Sequence, residues 1–140
     1  MTIDALLCGK NGTDYLIEFK NGSVKKDEVL NKLYATLLML QDVCELSVTD
    51  ARKGLVFVLV YNGAKLGGQG ANSSTPSKRV NDAPHFGLIR QGVTKHIGVN
   101  EKYAPRPVRG IGNSIKGIFV KDYIHCDKND FEDILTDALS

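Results

Sequence analysis

The chain has 140 residues, of which 42% are hydrophobic and 24% charged, and its formal net charge is +2. This length and composition fit one globular domain, so we expect residues 1–140 to fold as a single unit. The start, Met1-Thr2-Ile3-Asp4, resembles no signal peptide, and no apolar run approaches the ~20 residues of a membrane span, which predicts a cytoplasmic protein without a membrane partner.

Residues 2–8 and 13–20 are predicted to form a β-hairpin around a turn that contains Gly12. The second strand alternates, so Glu18 and Lys20 share one face while Phe19 points to the other. With a three-residue loop, 10–12, Asp4 pairs directly with Glu18 and shares its face. A two-residue loop would put the two carboxylates on opposite faces, because a one-residue slip inverts a strand.

A helix and a buried strand are predicted to follow the hairpin. Residues 26–44 show helical periodicity of apolar side chains, and Thr49-Asp50 are expected to cap a short helical turn that ends at Gly54. Residues 55–61 form a continuous apolar run rich in β-branched side chains, which is typical of a central parallel strand. The order of strand, helix and strand predicts a right-handed βαβ crossover.

The second half of the chain is less regular. Residues 62–83 are rich in Gly, Ser and Asn and predict a flexible loop, either a simple mobile loop or a flap that contacts substrate. Residues 84–140 are predicted to be a basic C-terminal extension with a short helix at 85–91, a loop at 104–114 and a strand at 116–124. Asp127 or Asn129 is expected to cap a final helix that runs to about Leu139.

Charge is distributed unevenly along the chain. Residues 71–121 carry nine Lys or Arg against two acidic residues, whereas residues 122–140 carry one Lys against six acidic residues. A positive segment of this kind could attract polyphosphate, and a solvated loop region would explain the same pattern. Cysteines 8, 44 and 126 form no CxxC pair, which argues against a disulfide framework. Cys8 and Cys44 fall on apolar segments and are expected to be small core residues.

Asp4, Glu18 and Lys20 are the residues of the chain best suited to binding a metal and to catalysis. Two carboxylates can hold Mg²⁺ through oxygen ligands, with the backbone carbonyl of Phe19 as a further ligand. Such a metal activates a bound water, and a neighbouring lysine can orient that water or stabilise the oxyanion. A Glu-x-Lys sequence is also common on the solvated face of ordinary sheets.

The arrangement resembles the PD-(D/E)XK nuclease superfamily, in which an Asp at a strand end precedes Glu/Asp-x-Lys on the next strand. Ile3-Asp4 and Glu18-Phe19-Lys20 stand for these two elements, and the following helix and apolar strand match the core over residues 1–61. With His85-Phe86-Gly87-Leu88, the chain also looks like a group of small uncharacterised bacterial proteins of this fold. It departs from the superfamily in having Ile3 where Pro is common. The sequence also starts almost on the strand of Asp4, where the superfamily has a preceding helix, so this helix is absent, cut off or replaced by another element.

The resemblance implies an α/β restriction-endonuclease-like core: a mixed central sheet with a β-hairpin, a crossover helix and a buried parallel strand, flanked by helices. It implies hydrolysis of phosphodiesters in DNA, rather than RNA, with Mg²⁺ or Mn²⁺ as cofactor, and it is compatible with a homodimer. Asp4, Glu18 and Lys20 would be the catalytic residues, with Asp4, Glu18 and the Phe19 carbonyl as metal ligands. The residues expected to contact nucleic acid are Lys78, Arg79, Lys95, Arg106 and Arg109.

Two other functions stay open from the sequence. The chain could be a catalytically inactive module of the same fold that binds nucleic acid or a protein partner. It could also be a different small α/β domain in which the acidic pair is incidental. The third interpretation is favoured if Asp4 and Glu18 do not converge within about 4–6 Å of a common point, since no cation could then bridge them.

Overall fold

A four-stranded mixed sheet forms the centre of the protein. The structure, a computed structural model, describes residues 1–66 and 105–140. Its strands lie in the order β1-β2-β3-β4: β1 (Ala5–Cys8), β2 (Asp14–Lys20), β3 (Leu55–Tyr61) and β4 (Asp122–Asp127). Strand β1 is antiparallel to β2, whereas β3 is parallel to both β2 and β4. The predicted α/β class with a mixed sheet is therefore confirmed, and the restriction-endonuclease-like fold stays a prediction.

Four helices accompany the sheet in the described residues: α1 (Lys26–Cys44), α2 (Val48–Gly54), α3 (Ile111–Ile115) and α4 (Phe131–Leu139). The bounds predicted for α1 are confirmed, and α1 with α2 connects the parallel strands β2 and β3. No helix within residues 1–66 or 105–140 combines the length and the apolar character needed to cross a bilayer.

Strand β3 is buried on both faces, as its uninterrupted apolar sequence predicts. Phe57 and Leu59 pack in a cluster with Val29 and Leu33 of α1. Val58, on the opposite face, belongs to a second cluster, which contains Ile17 of β2, Ile124 of β4 and Ile134 of α4. The sheet is thus the middle layer between α1 on one side and α4 on the other, and β2 presents its even-numbered residues to α1.

The hairpin has the register that brings Asp4 opposite Glu18. The Gly9 N–H donates to the Thr13 carbonyl at 3.0 Å, which leaves residues 10–12 as the loop. Ala5 pairs with Ile17 at the far end of the ladder, so the next position outward joins Asp4 and Glu18. Gly12 has φ 76°, a value that favours glycine. The three-residue loop, and with it the shared face, is confirmed.

Gly9 is the residue of the hairpin least able to accept a side chain. A Cβ at this position would stand against the Thr13 carbonyl oxygen and close to the Tyr15 ring. We therefore expect Gly9→Ala to lower the free energy of unfolding by about 1–3 kcal/mol, because the turn must open to relieve the overlap. Urea denaturation followed by circular dichroism measures the change.

Gly22→Ala is the matched control for this prediction. A Cβ on Gly22 would meet no atom within 4 Å, and Gly22 has no positive φ. Its replacement is expected to change stability by less than about 0.5 kcal/mol. Equal stability of the two variants would contradict the close packing assigned to Gly9.

Several predicted boundaries are wrong. Ser47, not Thr49 or Asp50, is the N-cap of α2, and Asp50 completes the capping box from position N3. The strand expected at 116–124 begins only at Asp122, because residues 117–120 form a turn in which Gly117 has φ 72°. The predicted loop 104–114 overlaps α3, which begins at Ile111 after Gly110 in the left-handed region.

The last helix also begins later than predicted. Its N-cap is Asp130, without a side-chain cap, and neither Asp127 nor Asn129 caps it. The Asp127 carboxylate instead accepts hydrogen bonds from the Gly63 N–H at 2.7 Å and from the Asn129 side chain at 2.7 Å. Asp127 therefore ties the end of β3 to the end of β4.

The cysteine assignments are wrong as well. Cys8 and Cys44 are exposed, whereas Cys126 of β4 is buried. Burial raises the pKa of the Cys126 thiol to about 12, with help from the nearby Asp130 and Asp127 carboxylates. Most of the predicted loop 62–83 and the short helix 85–91 lie outside the described residues.

Candidate functional site

Glu18 is the buried centre of the candidate site. It lies near the carboxyl end of β2, on the face covered by α1, and its side chain has 0% exposure. A charged carboxylate at this depth requires charged or hydrogen-bonding partners, because transfer from water to an apolar environment is costly. Two lysines provide them.

Lys20 and Lys32 both contact the same oxygen of Glu18. Lys32 Nζ lies 2.6 Å from Glu18 Oε1, and Lys20 Nζ lies 3.3 Å from it. Both lysine side chains are largely buried, with exposures of 14% and 16%. Lys20 also lies 4.0 Å from Glu28 Oε2, at the outer edge of an ion pair. The sequence pattern predicted Lys20 beside Glu18 but gave no sign of Lys32.

Asp4 joins the site from the end of β1. Its Oδ2 accepts a hydrogen bond from the Phe19 N–H at 2.9 Å, and its Oδ1 lies 3.5 Å from Lys32 Nζ. The carboxylate thus continues the β1–β2 ladder one position beyond the last backbone pair. Because the N–H and C=O of one residue point the same way in an extended strand, the Phe19 carbonyl faces this edge too.

The two carboxylates therefore converge on one point, which is the ammonium group of Lys32. Their distances to Nζ, 2.6 Å and 3.5 Å, meet the condition set for a shared cation. The separation that would have favoured an incidental acidic pair is therefore not present, and the alternative functions stay predictions. Lys32 projects from the second turn of α1 and reaches the strands because Val29 and Leu33 seat that helix on the sheet.

The second oxygen of Glu18 is satisfied by neither lysine. Glu18 Oε2 is buried, and no hydrogen-bond donor from the described part of the chain reaches it. Buried carboxylate oxygens are nearly always satisfied, so an orphan of this kind calls for an explanation. A cation bound by both oxygens of Glu18 would provide one.

Asp4 and Lys32 are charged over a wide range of pH. Burial raises the pKa of Asp4, but the Phe19 N–H and the Lys32 ammonium outweigh it and hold this pKa below 3.8. The hydrogen bond to Glu18 raises the pKa of Lys32 above 10.5 against the opposing effect of burial. The depressed pKa of Asp4 contributes stability above pH ~3.8 that is lost as the pH falls through its folded pKa. The raised pKa of Lys32 contributes stability below pH ~10.5 that is lost as the pH rises through its folded pKa.

A groove opens beside the ion pairs. It has a volume of about 520 Å³ and is bordered by Lys20, Glu28, Asn31 and Lys32, with Met1 and Ala35. This size lies within the range of ordinary ligand sites, about 300–1,000 Å³. Two ammonium groups line it together with the Glu28 carboxylate, so a phosphodiester oxygen entering the groove would meet charges of both signs.

The donor set suits a hard cation that keeps part of its water shell. Within residues 1–66 and 105–140, no three His, Cys, Asp or Glu side chains form a group that could hold a metal. Mg²⁺ does not require one, because it is usually bound by one or two carboxylates with waters and substrate phosphate completing its shell. Asp4, Glu18 with its orphaned oxygen, and the Phe19 carbonyl fit that pattern.

Of the five basic residues expected to contact nucleic acid, two lie in the described part of the chain. Lys78, Arg79 and Lys95 lie outside the described residues. Arg106 and Arg109 are exposed in the turn before α3. A Cβ on Gly110 of this turn would lie 3.8 Å from Lys26 Nζ, so the turn sits against the first residue of α1.

Comparisons of the chain with protein-family models, with curated proteins and with solved structures found no match.

Proposed function

We propose that the protein is a divalent-cation-dependent phosphodiesterase that hydrolyses DNA, with Asp4, Glu18 and Lys20 as its catalytic residues. The observation that carries the proposal is the convergence of two carboxylates on one point, beside a buried oxygen of Glu18 that lacks a donor. A groove bordered by Lys20, Lys32 and Glu28 adjoins that point, and its two ammonium groups support an anionic substrate. The resemblance to the PD-(D/E)XK superfamily supports the same chemistry.

The residues of the site would have separate roles in the reaction. Asp4, Glu18 and the Phe19 carbonyl would hold Mg²⁺ or Mn²⁺, and the Phe19 N–H fixes the orientation of Asp4. When bound, the cation would lower the pKa of a water and offset negative charge on the phosphate. Lys20, held at 3.3 Å from Glu18, would orient the attacking water or donate to a phosphate oxygen.

Hydrolysis adds the water oxygen to phosphorus and breaks one P–O ester bond, and the released alkoxide takes up a proton. Because Glu18 is buried, its carboxylate would stay in place during the reaction, and no bulk water would have to reorganise around it. Arg106 and Arg109, together with Lys78, Arg79 and Lys95, would hold the flanking DNA backbone through charge alone. A homodimer, in keeping with small nucleases of this type, belongs to the same proposal.

A cleavage assay on plasmid and single-stranded DNA tests the function. We expect nicking that requires Mg²⁺ or Mn²⁺ and stops with EDTA. Lys20→Ala should reduce the rate by about a hundredfold, the usual cost of removing one group that stabilises developing charge. The matched control is Lys10→Ala, since Lys10 is exposed in the loop at the other end of the hairpin, about 20 Å away along β2.

An inactive module is the alternative that one observation favours. The ammonium of Lys32 already contacts both carboxylates, as it would in a site that has lost its cation. Absence of cleavage by the wild-type protein with either cation would reject the nuclease proposal and favour binding of nucleic acid or a protein partner. Cleavage that persists in Lys20→Ala at the wild-type rate would reject the assigned site.

A further inference from the structure

Lys32 holds the position at which the two carboxylates meet. Its Nζ lies 2.6 Å from Glu18 Oε1 and 3.5 Å from Asp4 Oδ1, whereas Lys20 contacts only Glu18 of this pair. A divalent cation bound by Asp4 and Glu18 together would have to lie within about 2–2.6 Å of oxygens from both residues. The ammonium group and the cation therefore compete for one volume and for the same negative charge.

Charge makes the competition strong. Asp4 and Glu18 carry two negative charges, and Lys32 and Lys20 supply two positive charges within 3.5 Å of their oxygens. Adding a divalent cation to this arrangement would create an excess of positive charge beside the fully buried Glu18. Departure of one ammonium relieves the excess, and Lys32 has space to move because it also borders the groove.

We propose that Lys32 is a built-in competitor of the divalent cation: its ammonium group occupies the cation position in the unloaded protein and is displaced on loading. The inference rests on the proposed function in that Asp4 and Glu18 are taken as the cation ligands. Lys32 thereby sets the cation concentration at which the site is loaded, and it keeps buried Glu18 neutralised until then.

Cation binding by the full chain tests the inference without reference to catalysis. After EDTA treatment and dialysis, Mn²⁺ binding is measured by electron paramagnetic resonance and Mg²⁺ binding by calorimetry. Lys32→Met removes the charge and keeps an unbranched side chain that is one atom shorter. We expect it to bind Mn²⁺ about tenfold more tightly than the wild type, because the cation no longer displaces an ammonium group.

Lys25→Met is the matched control. Lys25 is exposed and pairs with Glu28 at 3.1 Å, so its loss changes the net charge equally but leaves Asp4 and Glu18 untouched. We expect its Mn²⁺ affinity to stay within about twofold of the wild type, since exposed charges are screened by salt. Lys32→Arg retains the positive charge and should bind Mn²⁺ no more tightly than the wild type.

Thermal unfolding gives a second readout. In EDTA, Lys32→Met should unfold at a temperature about 5 °C lower than the wild type, because Glu18 keeps only Lys20 as a partner. Saturating Mn²⁺ should raise the unfolding temperature more in Lys32→Met than in the wild type. A variant that is merely destabilised would unfold at a lower temperature in EDTA, but Mn²⁺ would not raise its unfolding temperature more than that of the wild type.

The wild-type protein can be tested directly as well. The ¹⁵N signal of Lys32 Nζ should shift on titration with Mg²⁺ as its contacts with both carboxylates are broken. An unchanged Lys32 signal at saturating Mg²⁺ overturns the proposal, even if Lys32→Met fails to fold. Equal or weaker Mn²⁺ binding by folded Lys32→Met overturns it too, as does the absence of binding by both forms.

Failure of this inference and failure of the nuclease proposal can be told apart. If Lys32→Met binds Mn²⁺ more tightly but no form cleaves DNA, the competition stands and the nuclease activity is rejected. If the wild type cleaves DNA while its Lys32 signal does not respond to Mg²⁺, the nuclease stands and the competition is rejected.

Discussion

Replacing Glu18 by glutamine is expected to reduce cation-dependent DNA cleavage by about a thousandfold, or about 4 kcal/mol in activation free energy. Glutamine keeps the volume of the side chain but removes the negative charge that would hold the cation. Lys20 and Lys32 would then face an uncharged amide at the distances now made to a carboxylate, 3.3 Å and 2.6 Å. The site would repel the cation that it is proposed to bind.

Initial rates of plasmid nicking at several Mg²⁺ concentrations measure the loss. Circular dichroism should confirm that the variant is folded, so that lost activity is not lost structure. Glu45→Gln is the matched control, because Glu45 is exposed at the end of α1, away from the strands that carry the site. A rate for Glu18→Gln within tenfold of the wild type would remove Glu18 from the catalytic residues.

Phe57→Ala is expected to lower the free energy of unfolding by about 3–5 kcal/mol, the usual cost of truncating a buried aromatic side chain. Phe57 has 0% exposure at the centre of β3. Its ring stacks on Tyr123 of β4 with centroids 6.0 Å apart, and it lies in the cluster that seats α1 on the sheet. Truncation would leave a cavity beneath α1 that the rigid sheet could not close.

Equilibrium unfolding in urea, monitored by far-ultraviolet circular dichroism, provides the measurement. Since domains of this size are stable by only about 5–15 kcal/mol, the shift in midpoint should be large. Val43→Ala is the control, because Val43 is 73% exposed near the end of α1 and alanine favours helix, so its effect should be close to zero. A loss below about 1 kcal/mol for Phe57→Ala would contradict the close packing of β3.

Local patterns were sufficient for the hairpin, α1 and β3. Each depends on interactions along the chain: the loop length, the helical period, or an uninterrupted apolar run. Because side chains on paired strands alternate with period two, a three-residue loop places Asp4 and Glu18 on one face and a two-residue loop does not, and the structure has the three-residue loop. The place of Lys20 on the same face follows from its position two residues after Glu18.

The C-terminal elements were harder to predict, for physical reasons that are visible in the structure. Residues 116–124 alternate like a strand, but Gly117 turns the chain and Lys121 donates its N–H to Leu55 only at the start of β4. His125 and Asp127 lie buried within β4, beyond the predicted end of the strand at residue 124. Asp127 was expected at a helix N-cap but is engaged by Gly63, 64 residues away along the chain.

The contacts of Lys32 with the site could not be predicted from the sequence. Lys32 follows Glu28 by four residues and precedes Leu33, so its place beside the apolar stripe of α1 was readable. Which strand residues it would reach was not, because the rotation of a helix over a sheet depends on how the two surfaces interlock.

The sequence by itself determined the hairpin, the helix, the central strand and the common face of Glu18 and Lys20, since these follow from side-chain periodicity. The three-residue loop that adds Asp4 to this face is a finding of the structure. Only the tertiary structure decided that Glu18 is fully buried, that one of its oxygens lacks a donor, and that Lys32 joins both carboxylates. Those properties arise where α1 packs against the ends of β1 and β2, and long-range packing of this kind leaves no local pattern in the chain.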